Sequence, residues 1–113
     1  MAASGAAAEH AKAQAHFCIG MFLARAVDGT PGRGVKAVRL LEFAANHGSK
    51  AIAGEACYQL GLLHERRAVN AADRVVRGCE EKPLVAAEQW QDAICNADKF
   101  FRKALRAAQA PPD

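Results

Sequence analysis

One stretch constrains this chain more than any other: Lys36-Ala37-Val38-Arg39-Leu40-Leu41-Glu42-Phe43-Ala44-Ala45-Asn46-His47-Gly48. Small alanines recur at helical spacing, bulky Leu40 and Phe43 stand between them, and a glycine follows the last turn. Such spacing predicts a helix that packs closely on its neighbours through its alanines. A second segment, Glu55-Ala56-Cys57-Tyr58-Gln59-Leu60-Gly61, follows after a short gap. Its Leu60-Gly61 pair suits a tight helix crossing, because glycine has no Cβ to hold two backbones apart. Together the two segments predict the inner half of a stack of helical hairpins.

The rest of the chain reads the same way. Glu9 to Val27 is the first predicted helix, with Ala13, Phe17, Gly20, Met21 and Ala24 in one stripe and Cys18, Phe22 and Arg25 in the next. Its middle is apolar nearly all round, so it is expected to pack on two sides. The glycines and proline of Asp28-Gly29-Thr30-Pro31-Gly32-Arg33-Gly34 predict a loop. Val35 to His47 is helix two, with Gly48 as its C′ stop. Ser49 is the expected N-cap of helix three, which starts near Lys50. No breaker interrupts Glu65 to Arg77 before Gly78, so one long helix and two helices kinked near Val69-Asn70 both remain open. Glu80-Glu81-Lys82-Pro83 predicts a turn, with the proline where a helix begins. Leu84 to Ala108 is the last helix, about 37 Å long. Trp90, Ile94, Ala97, Phe101, Ala104, Leu105 and Ala108 form its expected core face. No alternation of strand type is visible anywhere.

Composition sets outer bounds. At 113 residues the chain is read as a single helical-repeat domain over 1–113. A hydrophobic share of 51% with 24% charged residues fits a folded globule. Much of the apolar share is alanine, which forms helix well but buries little area, so thin layers of closely spaced helices are expected. The net charge of +3 comes from scattered basic residues, which argues against a nucleic-acid partner. No apolar run approaches the roughly 18 residues that a membrane span needs. The start of the chain lacks the basic residues and apolar block of a secretory signal, and its first arginine is Arg25.

The chain is also self-similar. Phe17-Cys18-Ile19-Gly20 aligns with Tyr58-Gln59-Leu60-Gly61, 41 residues on. Ala37, Leu40, Ala44 and Ala45 align with Ala87, Trp90, Ile94 and Cys95. Repeat one is placed at about 9–48 and repeat two at about 49–108. At these residues the chain resembles the Sel1-like repeat family, a branch of the tetratricopeptide-repeat superfamily. That family's second helix reads approximately Lys-Ala-x6-Ala-Ala-x2-Gly, and Lys36, Ala37, Ala44, Ala45 and Gly48 fit it. Its following helix carries Ala-x-Tyr-x-Leu-Gly, matched by Ala56, Tyr58, Leu60 and Gly61. The resemblance covers residues 16–63. It implies an all-α fold of two stacked antiparallel hairpins, a short solenoid ending in a long C-terminal helix. It also implies a non-enzymatic scaffold or an accessory subunit of a larger complex. An intracellular location is expected, mitochondrial ahead of cytoplasmic.

Candidate chemistry is sparse. Cys18, Cys57, Cys79 and Cys95 contain no Cys-x2-Cys, which argues against a zinc ribbon or a thioredoxin-like site. They are expected to be buried free thiols, with disulfides as the alternative; four cysteines allow three pairings and the spacing does not choose among them. Cysteine-bridged Sel1-like proteins of the mitochondrial intermembrane space make a redox-linked assembly factor one rival reading, and an RNA-binding helical repeat is another. His10, His16, His47 and His64 lack the spacing of metal ligands, so neither a metal nor a cofactor is expected. The expected partner-binding residues are His16, Met21, Tyr58 and Leu62 on a concave face between the first helices of the hairpins, and Trp90, Phe100 and Phe101 on the last helix. Phe100 and Phe101 are adjacent, about 100° apart on a helix, so one of them is expected to face away from the core.

Overall fold

The computed structural model describes residues 2–25, 33–78 and 82–109. They form α1 (Ala2–Arg25), α2 (Arg33–His47), α3 (Lys50–Val76) and α4 (Pro83–Gln109), with no strand among them. The fold is all-α, as the alanine-rich spacing predicts. Residues 1, 26–32, 79–81 and 110–113 lie outside the described residues, and with them Cys79 and most of the predicted loop and turn.

Helix boundaries follow local chemistry. The first helix begins at Ala2 and not at Glu9, because an alanine-rich start is intrinsically helical. The second begins at Arg33, so Gly34 is helical and not part of the loop predicted for it. Ser49 caps α3 as expected: its backbone is extended and its hydroxyl accepts from the Ile52 N–H at 3.5 Å. The third helix is one unbroken element of 27 residues that runs through Val69-Asn70. It ends where Gly78 adopts φ +69 and donates to the Val75 carbonyl at 3.1 Å. Pro83 opens α4, and the first bond of its ladder runs from Ala86 N–H to the Lys82 carbonyl at 3.2 Å.

Gly48 does not stop α2 by a left-handed turn. Its N–H still donates to the Ala44 carbonyl at 2.9 Å, and Gly78 has the one positive φ among the described residues. Glycine is required at 48 for space: a Cβ there would lie 2.6 Å from the Ala44 oxygen and 2.9 Å from the Ile52 Cγ2. The two residues Gly48-Ser49 thus turn the chain from α2 directly into α3.

The helices form two antiparallel pairs. His16 of α1 stacks on Phe43 of α2 at 4.4 Å, and Gly20 lies against Leu40 and Leu41. Along α3 and α4, Gly54 meets Ala107, Gly61 meets Phe101, His64 meets Phe100, and Arg74 donates to Gln89. Between the pairs, Arg66 donates to the Ala24 carbonyl at 3.4 Å, which supplies a partner for the C-terminal end of α1. One buried cluster of Leu41, Cys57, Leu60 and Phe100 joins α2, α3 and α4, and Phe17 and Met21 of α1 pack against it. The molecule is elongated, 57 × 29 × 18 Å.

The contact between α3 and α4 is a seam of small residues. Ala68 and Ala71 are buried on one helix, and Ala86, Ala93 and Ala97 on the other, while Gly61 gives room to the Phe101 ring. Small side chains let the two axes approach closely, so the bulky residues of α4 are displaced to one flank. Of the expected core face of α4, Ala97 is buried and Phe101 and Ala104 are half-buried, while Trp90, Ile94, Leu105 and Ala108 are exposed and Phe100 takes a core place instead. Phe100 is 8% exposed and belongs to the core. The expectation that it serves a partner surface is corrected: its ring is parallel to that of buried His64 at 5.5 Å.

Candidate partner-binding surface

The flank left open on α4 carries Trp90, Ile94 and Leu105, exposed by 45%, 41% and 58%. Trp90, Ile94, Phe101 and Leu105 are spaced i, i+4, i+11 and i+15, so they lie along one side of the helix. Tyr58 of α3 meets this side, with its ring 6.0 Å from that of Phe101. Tyr58, Trp90 and Phe101, expected at a partner surface from the sequence, are thus brought to one side of the α3–α4 pair.

A groove of about 610 Å³ opens on that side. Its floor is made of small residues, Ala51 and Gly54 from α3 and Ala104, Ala107 and Ala108 from α4. Tyr58, Phe101 and Leu105 wall it, with Lys50 and Glu55 at its polar margin. A second groove, of about 600 Å³, lies between α1 and α3, lined by Phe17, Cys18, Met21, Phe22, Arg25, Glu55 and Gln59. It lies between the first helices of the two pairs, and its lining is largely different from the residues expected on a concave face there. Met21 lines it, while Tyr58 lies in the neighbouring groove. His16 faces α2, where it stacks on Phe43 at 4.4 Å, and the Phe43 ring meets that of His47, tilted, at 4.5 Å. Leu62 is half-buried and lines neither groove. Phe22, 69% exposed, was assigned to a helix stripe from the sequence but not to a surface; its spacing alone did not reveal which flank α3 would leave open.

The polar groups are dispersed. His47, in the last turn of α2, lies 2.6 Å from the Glu9 carboxylate of α1. His64 is buried beside Phe100 and within 3.2 Å of Arg67. Burial pushes its pKa below the usual histidine range; the Arg67 charge lowers it further, Asp92 opposes this, and Lys99 lowers it slightly. Burial also pushes the Cys57 thiol up, against the nearby Lys103 ammonium, so this thiol is held in its protonated form. Cys18, Cys57 and Cys95 are free thiols, and Cys18 and Cys95 are exposed rather than buried. Among the described residues no three His, Cys, Asp or Glu side chains are grouped as a metal site would require. No helix among them is long and apolar enough to cross a membrane.

Comparison of the chain with models of protein families, with curated proteins and with solved structures finds no match.

Proposed function

We propose that this chain is a non-enzymatic helical-repeat scaffold or accessory subunit, with two hairpins stacked in the Sel1-like manner and one side of the second hairpin covered by another polypeptide. The observation that carries the reading is the exposed apolar side built by Tyr58, Trp90, Ile94 and Leu105 beside an open groove. Contiguous apolar surface rimmed by polar residues is the usual mark of an interaction site on a soluble domain. Aromatic residues such as Tyr58 and Trp90 are also the side chains that most often anchor protein interfaces. The groove walls are helix-borne and alanine-floored, which suits the shape of a docked segment more than the polar convergence of a reactive centre.

The test is affinity purification of the tagged wild-type chain beside Ile94→Asp and Leu105→Asp. Both positions are exposed, so both variants should keep their far-UV ellipticity. The proposal expects a stoichiometric co-purifying polypeptide on the wild type and its loss from both variants. Retention of that polypeptide by both variants would move the interface elsewhere, and absence of any bound polypeptide would remove the scaffold reading.

A further inference from the structure

Among the described residues His64 is the one buried polar side chain, 5% exposed, and it sits between α3 and α4. Its ring lies parallel to that of Phe100 at 5.5 Å, and Phe100 in turn packs with Leu41, Cys57 and Leu60. The Arg67 Nη1 lies 3.2 Å from the His64 Nδ1. A guanidinium has donors and no acceptor, so Nδ1 accepts and the ring proton is on Nε2. This hydrogen bond exists only while the imidazole is neutral. A proton from solvent would have to bind at Nδ1, where it would face another donor and a like charge.

The charges that act on the ring come from both helices. Burial and the Arg67 charge oppose protonation, Asp92 of α4 favours it, and Lys99 of α4 opposes it. Lys103 places a further ammonium 5.6 Å from the centre of the Phe100 ring. From α2, Glu42 lines one concavity with Cys57, Lys99, Phe100 and Lys103. Arg67 and Asp92 are themselves exposed, so both side chains can move without disturbing the core.

We propose that His64 is an acid-sensitive latch between α3 and α4: a proton on Nδ1 expels Arg67, the charged ring turns out of its stack towards Asp92, and Phe100 with Cys57 beside it becomes accessible while the helices stay formed. The open form holds its histidine in water and takes up a proton at the usual pKa of about 6.5, whereas the closed form resists it. The opening constant therefore rises by up to about tenfold for each pH unit below that value and is level above it. The opening is local. The contact of Gly54 with Ala107 and the buried Ala68 and Ala71 lie on either side of His64 along α3 and contain no titrating group. The latch is independent of the scaffold reading above.

The reporter is Cys57, in a chain carrying Cys18→Ser, Cys79→Ser and Cys95→Ser. Its reaction with dithiodipyridine, a disulfide reagent that stays active in acid, is timed in the folded chain and divided by the rate in urea at the same pH. Between about pH 7 and pH 5 this protection should fall by about tenfold or more, at constant far-UV ellipticity. Arg67→Ala should raise the pH at which protection is lost, and Asp92→Asn should lower it. His64→Gln keeps an acceptor for Arg67 and cannot titrate, so its protection should not vary with pH in this range. If that variant does not fold, the wild type and the two surface variants decide the matter. Wild-type protection that is level with pH would overturn the latch. Ellipticity lost in step with Cys57 exposure would replace it by global acid unfolding. A full pH response in folded His64→Gln would assign the effect to other groups, and unmoved midpoints in both Arg67→Ala and Asp92→Asn would overturn the exchange of partners.

Discussion

Replacing Phe100 by alanine separates the core seen here from the apolar stripe that periodicity alone suggests. The ring is buried against Leu41, Cys57 and Leu60, and parallel to His64. The ammonium groups of Lys99 and Lys103 lie 5.4 and 5.6 Å from its centre. Removing a buried phenyl ring typically costs about 3–5 kcal/mol, from lost transfer energy and the cavity that remains. The two cation–ring contacts, at the solvent edge, contribute at most about 1 kcal/mol each. Transfer and cavity therefore dominate. A domain of this size is stable by about 5–15 kcal/mol, so the change removes a large part of the total. Urea unfolding followed by far-UV ellipticity is the assay. Phe100→Ala should shift the midpoint strongly at near-constant slope, and Phe101→Ala, half-buried in the groove wall, should shift it less. A loss of under about 1 kcal/mol for Phe100→Ala would refute the reasoning, because surface substitutions fall in that range.

Three further outcomes follow from particular contacts. Ser49→Ala should lower stability by about 1 kcal/mol, seen in the same urea titration, because the Ile52 N–H loses its side-chain acceptor. Gly48→Ala should cost about 1–3 kcal/mol despite an ordinary backbone conformation, since the added Cβ meets the Ala44 oxygen and Ile52; a neutral effect would show that the turn relaxes freely. Stability should fall as pH drops below the usual histidine pKa of about 6.5, by up to about 1.4 kcal/mol per pH unit. The cause is His64, whose folded-state pKa is lowered by burial, so that the unfolded chain takes up a proton that the folded chain does not. His64→Gln should flatten that slope, and an unchanged slope would assign it to other groups.

Much of the architecture was legible in the sequence, for physical reasons that differ by element. The alanine spacing of Lys36 to Gly48 and the cap at Ser49 are local signals, and α2 and the start of α3 follow them closely. The continuity of α3 was legible only as the absence of a breaker before Gly78. The loop predicted through Gly34 was too long, since a glycine in a first turn costs little once its neighbours are helical. The face of α4 was misread for a tertiary reason. Trp90, Ile94 and Leu105 have the period of a core stripe, but α3 presents buried Ala68 and Ala71 to the alanines of α4, and its Gly61 makes room for the Phe101 ring. That arrangement depends on both helices together and on neither alone. The same arrangement placed Phe100 inside and left Trp90 half outside. Of the residues expected at a partner surface, Tyr58, Phe101 and Trp90 lie on one side of the α3–α4 pair, while His16 stacks on Phe43 of α2.

The single tryptophan gives the most direct measurement of the central claim, that this side of the second hairpin exists to be covered by another polypeptide. Trp90 is half-exposed on that side, so acrylamide should quench its fluorescence readily in the isolated chain. In the complex reconstituted with the polypeptide that co-purifies on the tagged chain, made tryptophan-free, quenching should fall severalfold and the emission should shift to the blue. Equal quenching of Trp90 in the free chain and in that complex would contradict the account.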